Sequence, residues 1–482
     1  MIRRDPQGAA AATYDLAILG GGVYGVALAL EAARRGLRPV LLERGDFGGE
    51  TSANSLRIVH GGLRYLQSLD LKRFRESVAE RHWFLRNFPD QVRPMPCLMP
   101  LYGDGAKRPS VFRAALAAND WLSRGRNRDV RADRKLPPGD VFDRTETLRS
   151  YPAAVADGLV GGALWYDAVM PNSERLLMEM LRWAVACGAV ALNYTEATGL
   201  LDRHGRTAGV HAVDRTDGKE LEFRAETVVN CAGPWCRELA SAFDRDRPDL
   251  FHASLAMNIV LDRPPPSPIA LALTARRPGA QTLFLHPWKG HLFAGTYHSR
   301  WKAGWSPEVA PPEAMGHFLA ALNETLPGLK ATPDDVLDVR WGRLPAAAED
   351  TADLAVRPRI VHHGAEGGPA GLFSVSGVKF TTARRVAEET LGVILGTLPA
   401  YGSTPRPLQR DVPDAVEFAQ WIEQAPAAAA DCIRTLMEEE SVVKADDLLR
   451  RRTDWGAAPN RPAELGAAIL EVLELHGREK AS

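Results

Sequence analysis

Residues Tyr14 to Glu43 read YDLAILGGGVYGVALALEAARRGLRPVLLE, and this stretch decides the fold. Tyr14 to Leu19 is a short apolar run that stops at Gly20-Gly21-Gly22. Val23 to Arg35 then carries a helical pattern that closes at Gly36, and a second apolar run, Arg38 to Leu42, follows at once. Strand, helix, strand with so short a return is a β-α-β unit, which needs a parallel sheet covered on both faces. The fold class at this end is therefore α/β. The glycines fall as Gly20-x-Gly22-x-x-Gly25 between strand and helix, a spacing that allows a tight turn and lets a pyrophosphate approach the positive helix N-terminus. Glu43 ends the next strand 18 residues after Gly25, close to the roughly 20 expected of a carboxylate that binds an adenosine ribose.

The whole chain of 482 residues has room for two to four domains at roughly 100–200 residues each. Hydrophobic residues at 45% and charged residues at 25% are those of a folded protein, not of a disordered one. With 59 Lys and Arg against 60 Asp and Glu, no global field recruits nucleic acid or an acidic membrane. The five cysteines, Cys97, Cys187, Cys231, Cys236 and Cys432, are scattered and lack the paired spacing of a zinc site, and His362-His363 has no ligand partners nearby, so no metal is expected. Met1 to Thr13 has no apolar core of a signal peptide and reads as a frayed leader before a cytoplasmic domain. Leu16 to Leu30, 15 uncharged residues interrupted by four glycines, is too short to span a bilayer.

Further along, Asp70 to Phe88 has the stripe of an amphipathic helix, and so does Ser173 to Cys187, with Asn172 or Ser173 as its cap. His204-Gly205 and Asp217-Gly218 mark hairpins that lead into a buried strand at Thr227 to Asn230. Proline and glycine punctuate Pro264 to Gly279, which reads as a loop or edge region rather than a central strand. After about Leu398 the composition turns helical, clearest over Ala425 to Glu440 and Ala463 to Leu475.

Two segments after Glu43 add chemistry. Gly45 to Ser55 (GDFGGETSANS) is too polar for core and suits a loop laid along a dinucleotide. It is followed by His60-Gly61-Gly62-Leu63-Arg64-Tyr65. The order GGGVYG, Glu43, TSANS, HGGLRYL resembles the flavin-dependent glycerol-3-phosphate dehydrogenases, within the larger D-amino-acid-oxidase-like group. The resemblance continues through Val228 to Trp235 (VVNCAGPW), similar to the family's VNATGPW, and through Gly377 to Arg384 (GVKFTTAR), similar to its GGKLTTYR. In the tail Glu438 to Thr453 is similar to the family's C-terminal helical domain.

The resemblance implies an α/β protein with a Rossmann-like FAD-binding domain, discontinuous over 14–96, 165–250 and 335–398. A mixed α+β substrate domain covers 97–164 and 251–334, and a small helical C-terminal domain covers 405–482. It implies FAD held by Gly20, Gly22, Gly25, Glu43, Thr51, Ser52, Asn54, Ser55, Gly61, Gly62, Gly233, Gly377, Thr381 and Thr382. It places substrate against Arg64, Tyr65, Arg343, Arg357, Lys379 and Thr381, with Arg64, Lys379, His60 and His298 as the catalytic candidates. The reaction implied is oxidation of a secondary alcohol by hydride transfer to flavin, glycerol 3-phosphate to dihydroxyacetone phosphate, with a quinone or other electron acceptor.

The chain also departs from the family's pattern. Gly342-Arg343-Leu344-Pro345 carries its arginine one place earlier than the family's G-x-R-P-L, and in an extended segment that shift reverses the face. Arg357 and Arg359 lie near a second family arginine. Asn258 stands where the family has a pocket histidine, and Thr296-Tyr297-His298 replaces its T-T-D, so His298 or His60 becomes the candidate proton acceptor. These departures leave two alternatives: the same chemistry on a non-phosphorylated polyol, hydroxy acid or amine, or a flavin-binding structural or regulatory subunit without turnover. The basic run Arg124, Arg126, Arg128, Arg131, Arg134 and Lys135 suits either a solvated surface or an anionic membrane on the inner face. No aromatic pattern accompanies it, which argues against nucleic acid.

Overall fold

The computed structural model describes residues 1–103, 105, 108–275, 280–302, 304–306 and 309–456. The chain divides into two compact units, the first built from Met1–Ala53, Asn172–Ala253 and the chain from Arg343 onward, the second from Asn54–Pro171 and Ser254–Gly342.

In the first unit Thr13–Leu19 lies between Pro39–Leu42 and Glu220–Asn230, parallel to both. Leu372–Ser376 extends the sheet beyond Glu220–Asn230 and Val190–Leu192 extends it beyond Pro39–Leu42, again in parallel. The strands are buried on both faces, the condition for a parallel sheet. Val23–Ala33, buried along almost its whole length, is flanked by Ser173–Ala186 and Ala383–Leu395. Asn172 caps Ser173–Ala186 by accepting the N–H of Arg175 at 2.9 Å. The two glycine turns do make hairpins, Thr195–Arg203 with Arg206–Asp214, and Arg206–Asp214 with Glu220–Asn230. The helices Ala415–Gln424 and Pro426–Glu439 close over a small core of Phe418, Ile433, Leu436 and Trp455. The helix expected over Ala463 to Leu475 lies outside the described residues.

Met1 to Thr13 is not a frayed leader. Ile2 is fully buried, its N–H donates to the carbonyl of Glu439 at 2.7 Å, and its carbonyl accepts from Ser441 Oγ. Arg4 forms an ion pair with Asp214, and Asp5 caps a short helix, Pro6–Ala10. An isolated isoleucine between charges carries no periodicity, so its burial left no pattern to read.

In the second unit a nine-stranded sheet runs in the order 336–345, 253–261, 291–300, 282–288, 270–274, 93–101, 161–169, 58–59, with Asp140–Asp143 paired to Gly161–Val169. Ala270–Thr274 thus sits inside the sheet between Thr282–Trp288 and Arg93–Leu101, and Ala270, Leu271 and Ala272 are fully buried. The prolines that suggested a loop or edge flank that strand in sequence, Pro264, Pro265, Pro266 and Pro268 before it and Pro278 after it, and none falls within it. The boundaries also differ from those expected at 96 and 164. Residues 54–96 pack in the second unit because Ile58–Val59 pairs with Gly161–Val169, and Asp70 caps the helix Leu71–Asn87 that follows. No described helix is long and apolar enough to cross a membrane.

Candidate functional site

The first unit builds a candidate cofactor site around the glycine loop. Gly20 adopts φ +110°, and a Cβ there would lie 2.6 Å from the carbonyl of Cys231, just past the neighbouring strand Glu220–Asn230. A Cβ on Gly25 would lie 1.9 Å from the carbonyl of Gly20, so the turn and the helix can meet only without side chains. Gly22, the cap of Val23–Ala33, is looser: a Cβ there meets only Ser52 Oγ, at 3.1 Å. Ser52 in turn accepts the N–H of Val23 at 3.0 Å. The first turn of that helix holds no acidic residue, leaving its positive end to an anion. Glu43 stands at the carboxyl end of its strand, where its carboxylate accepts the N–H groups of Gly21 at 2.6 Å and Gly45 at 2.7 Å. Burial raises its pKa, and those two donors oppose the rise. A glycine loop whose Gly20 and Gly25 admit no side chain, under a helix end free of carboxylate, fits the pyrophosphate of a dinucleotide.

The GVKFTT segment meets the same helix. Lys379 caps a 3-10 turn, Phe380–Thr382, that carries Thr381 and leads into Ala383–Leu395. Tyr24 Oη accepts the N–H of Lys379 and donates to its carbonyl, both at 2.8 Å. A Cβ on Gly377 would fall 1.9 Å from the Tyr24 ring, so glycine is required there by the tyrosine. Arg343 lies over the Trp235 ring at 5.1 Å, with Arg44 at 4.7 Å from the same ring. Burial lowers the Arg343 pKa, while Glu238 and Glu50 act against that. Thr51 Oγ1 reaches the Arg343 carbonyl at 3.4 Å. Gly233 (φ +55°) has open space where a Cβ would stand, and Arg357 is exposed.

The second unit gathers the histidines. His60 Nδ1 lies 3.1 Å from Asp167 Oδ2, and the ring leans on Phe284 with centroids 5.0 Å apart. Asp167 is buried, and its Oδ1 accepts the N–H of Gly61 at 2.7 Å and Arg81 Nη1 at 3.0 Å. Burial alone would raise its pKa, but His60, Arg81 and the Gly61 amide pull it down to about 2. A Cβ on Gly61 would strike the Arg81 guanidinium at 2.0 Å, and Gly62 at φ +82° caps the helix Leu63–Gln67. On that helix Arg64 is exposed and pairs with no carboxylate among the described residues. Tyr65 has the Arg73 guanidinium over its ring at 4.8 Å. His298 is held through its backbone, its N–H donating to Gln281 Oε1 at 3.0 Å and its carbonyl accepting from Gln281 Nε2 at 2.7 Å. Its buried Nδ1 has no hydrogen-bond partner, and burial, then the charge of Arg64, lowers its pKa to about 4. Ser55 Oγ is likewise buried without a partner.

Asn258 is not a vacant substitute for a histidine. It sits in a bulge between Met257 and Ile259, where Oδ1 accepts Thr296 Oγ1 at 2.9 Å and Nδ2 donates to the Asn54 carbonyl at 2.8 Å. Asn54 Nδ2 itself donates to the Trp341 carbonyl at 2.7 Å. Asp167, Arg81 and Tyr24 escaped sequence reasoning. Asp167 alternates with Trp165 on one strand and offers no local motif, whereas Tyr24 lay inside the glycine signature, where only glycines were weighed.

A parallel sheet with a glycine cradle at the end of its first strand, and a lysine-bearing turn locked to the helix that follows, defines a dinucleotide-binding oxidoreductase. Residues 15–390 match the FAD dependent oxidoreductase family, and the chain belongs to it; its cofactor is FAD. The chain is 28% identical over 424 residues to a glycerol-3-phosphate dehydrogenase of Synechocystis sp., covering 86% of this chain and 75% of that one. It is 31% identical over 389 residues to glycerol-3-phosphate dehydrogenase 2 of Mycobacterium bovis, covering 80% of this chain and 64% of that one. The chain thus spans less than two thirds of that mycobacterial relative. Its fold matches the glycerol-3-phosphate dehydrogenase from Bacillus halodurans, solved with FAD, at a TM-score of 0.70 and 22% identity, over 98% of this chain and 95% of the other.

Proposed function

We propose that this chain oxidises the secondary alcohol of glycerol 3-phosphate to the ketone of dihydroxyacetone phosphate, the activity for which its Synechocystis and Mycobacterium relatives are named. Arg64 carries the proposal on the structural side: an exposed guanidinium, unpaired with any described carboxylate, suits bidentate contact to a phosphate. FAD, held at the glycine loop of Gly20, Gly22 and Gly25, would supply the hydride acceptor for this oxidation. His60 takes the hydroxyl proton at Nε2, because Asp167 holds Nδ1 as the donating nitrogen. The C–H pair leaves as hydride, the proton goes to imidazole, and the C=O bond forms. His298, kept neutral by burial beside Arg64, adds no competing charge.

Anaerobic titration of the flavoprotein tests this directly. Glycerol 3-phosphate should bleach the flavin, while glycerol, lactate and simple amines should not. Bleaching by an unphosphorylated alcohol or an amine would replace the substrate class, and no bleaching by any of them would favour a subunit without turnover. Arg64→Ala should lower kcat/KM on glycerol 3-phosphate by about 10- to 150-fold with flavin occupancy unchanged. Near-normal turnover would remove Arg64 from the site.

Electrons leave the reduced protein to a quinone or another acceptor, and we assign the basic run a weak contact with an anionic membrane. Arg126, Arg131 and Arg134 are already paired with Asp120, Asp90 and Asp133, so Arg124, Arg128 and Lys135 carry the charge that remains. Pelleting with anionic vesicles should occur at low salt and vanish at about 1 M, where the Debye length is about 3 Å. Persistence at high salt would contradict the assignment.

A further inference from the structure

The loop after Glu43 is held from the far end of the chain. Asp46 receives both Nη atoms of Arg452, at 2.6 and 2.8 Å, and Asn193 Nδ2 at 2.9 Å. Arg452 is fully buried, in a π-helical turn, Leu448–Arg452. Its Nε donates to the Glu440 carbonyl at 2.7 Å, and Nη2 also reaches the Ser441 carbonyl at 3.3 Å, so the guanidinium is fixed on its own side as well as on the loop. Asn193 Nδ2 bonds the same Ser441 carbonyl at 2.8 Å. Arg175 ties this end to the sheet-covering helix through Glu440, at 2.7 and 3.0 Å.

The residues next to Asp46 touch the glycine cradle itself. Gly48 N–H donates to the Gly21 carbonyl at 3.0 Å, and a Cβ on Gly21 would lie 2.8 Å from the Phe47 ring. Phe47 is buried and has the Arg452 guanidinium 5.9 Å from its ring centroid. A continuous set of contacts therefore runs from Arg452 through Asp46 and Phe47 to Gly21.

From this geometry we propose that Arg452 is a positioning residue for the cofactor: the C-terminal helical segment clamps the Asp46–Gly48 turn and thereby sets the shape of the glycine loop that receives FAD. The proposal rests on the family's cofactor. Coupling of this kind is reciprocal, so FAD must strengthen docking of the C-terminal segment by the factor with which docking strengthens FAD binding.

The experiment uses the full chain, stripped of flavin and titrated with FAD. Arg452→Lys keeps a positive charge but loses the two-pronged contact, and Asp46→Asn removes the charge it meets; each should raise the FAD dissociation constant by about 5- to 150-fold. Wild-type protein should show slower amide hydrogen exchange over residues 440–455 when FAD is added. FAD should also raise the melting temperature less in the variants than in the wild type, whereas a purely structural role would lower apo and holo melting together and leave that increment intact. An intact increment, wild-type FAD affinity in both variants, or equal exchange with and without FAD would each overturn the clamp. If Arg452→Lys does not fold, Asp46→Asn and the wild-type exchange measurement decide. Wild-type protein that takes up no FAD would overturn the flavin assignment as well, an outcome distinct from equal binding by wild type and variants.

Discussion

Asp167 places one carboxylate oxygen 3.1 Å from His60 Nδ1 and the other 3.0 Å from Arg81 Nη1, so one buried group both orients the proposed base and balances a buried cation. Trp165 Nε1 adds a donor to the His60 side at 3.2 Å. The two roles separate under mutation. His60→Asn should lower kcat by about 10²- to 10⁴-fold with little change in melting, since the ring is half-exposed. Asp167→Asn should lower kcat and also destabilise the fold by about 3–5 kcal/mol, because Arg81 is left charged and buried. Steady-state kinetics beside thermal melts check both, and a fully active His60→Asn would end its assignment as base.

The bulge at Asn258 gives a second prediction. Its amide serves Thr296 and the Asn54 carbonyl, and a Cβ on Gly295 would already lie 2.0 Å from Oδ1, so the cavity has no slack. Asn258→His should therefore destabilise by about 1–3 kcal/mol through crowding and lost bonds, without gain in turnover. Asn258→Ala should cost a similar amount by leaving the Thr296 hydroxyl and the Asn54 carbonyl unmet. A more active, equally stable Asn258→His variant would show that the position still accepts a catalytic imidazole.

Local signals made the parallel sheet legible. Glycines at Gly20, Gly22 and Gly25, a capping Asn172 and the hairpin pairs at Gly205 and Gly218 each act within a few residues of themselves. The second unit was less so. Ala270–Thr274 gains its central place from pairing with Arg93–Leu101, and neither strand's pattern names the other. The site splits the same way. The glycine loop and Lys379 lie in motifs, but Asp167 reaches His60 across 107 residues, and Arg452 reaches Asp46 across 406. Long-range ion pairs have no periodicity, so only the folded chain reveals them. Asn258 departs visibly from the family's pattern, but its two partners, Thr296 and Asn54, lie on other segments.

Tyr24 and Gly377 should behave as one unit. Gly377→Ala in the native background drives a methyl into the Tyr24 ring and should be strongly destabilising, because the ring cannot move without breaking its two bonds to Lys379. Tyr24→Phe should cost about 1–3 kcal/mol by leaving the Lys379 N–H without its acceptor. In a Tyr24→Ser background the Gly377→Ala cost should fall, giving a coupling of about 0.5–3 kcal/mol in a double-mutant cycle. Additive effects would mean that the close approach does not govern the choice of glycine.

Acid sensitivity is the last expectation. His363 is buried, with Nε2 2.8 Å from Ser374 Oγ, and burial, then Arg247, Arg245 and His362, push its pKa down to about 4. His286, buried with its Nε2 3.1 Å from the Leu56 carbonyl, is also brought to about 4, mainly by burial. An unfolded histidine titrates near 6.5, so between about 6.5 and 4 the unfolded chain binds protons that the folded one refuses. Each histidine thus contributes stability that is fully present above about pH 6.5 and is lost as pH falls through about 4. Asp167 responds later, as its depressed pKa keeps its contribution until pH falls from about 4 towards 2. Urea melts between pH 7 and 4.5 should show stability falling once pH drops below about 6.5, with a shallower slope in His363→Gln. An unchanged slope in that variant would mean that His363 is as free to protonate in the folded protein as in the unfolded chain.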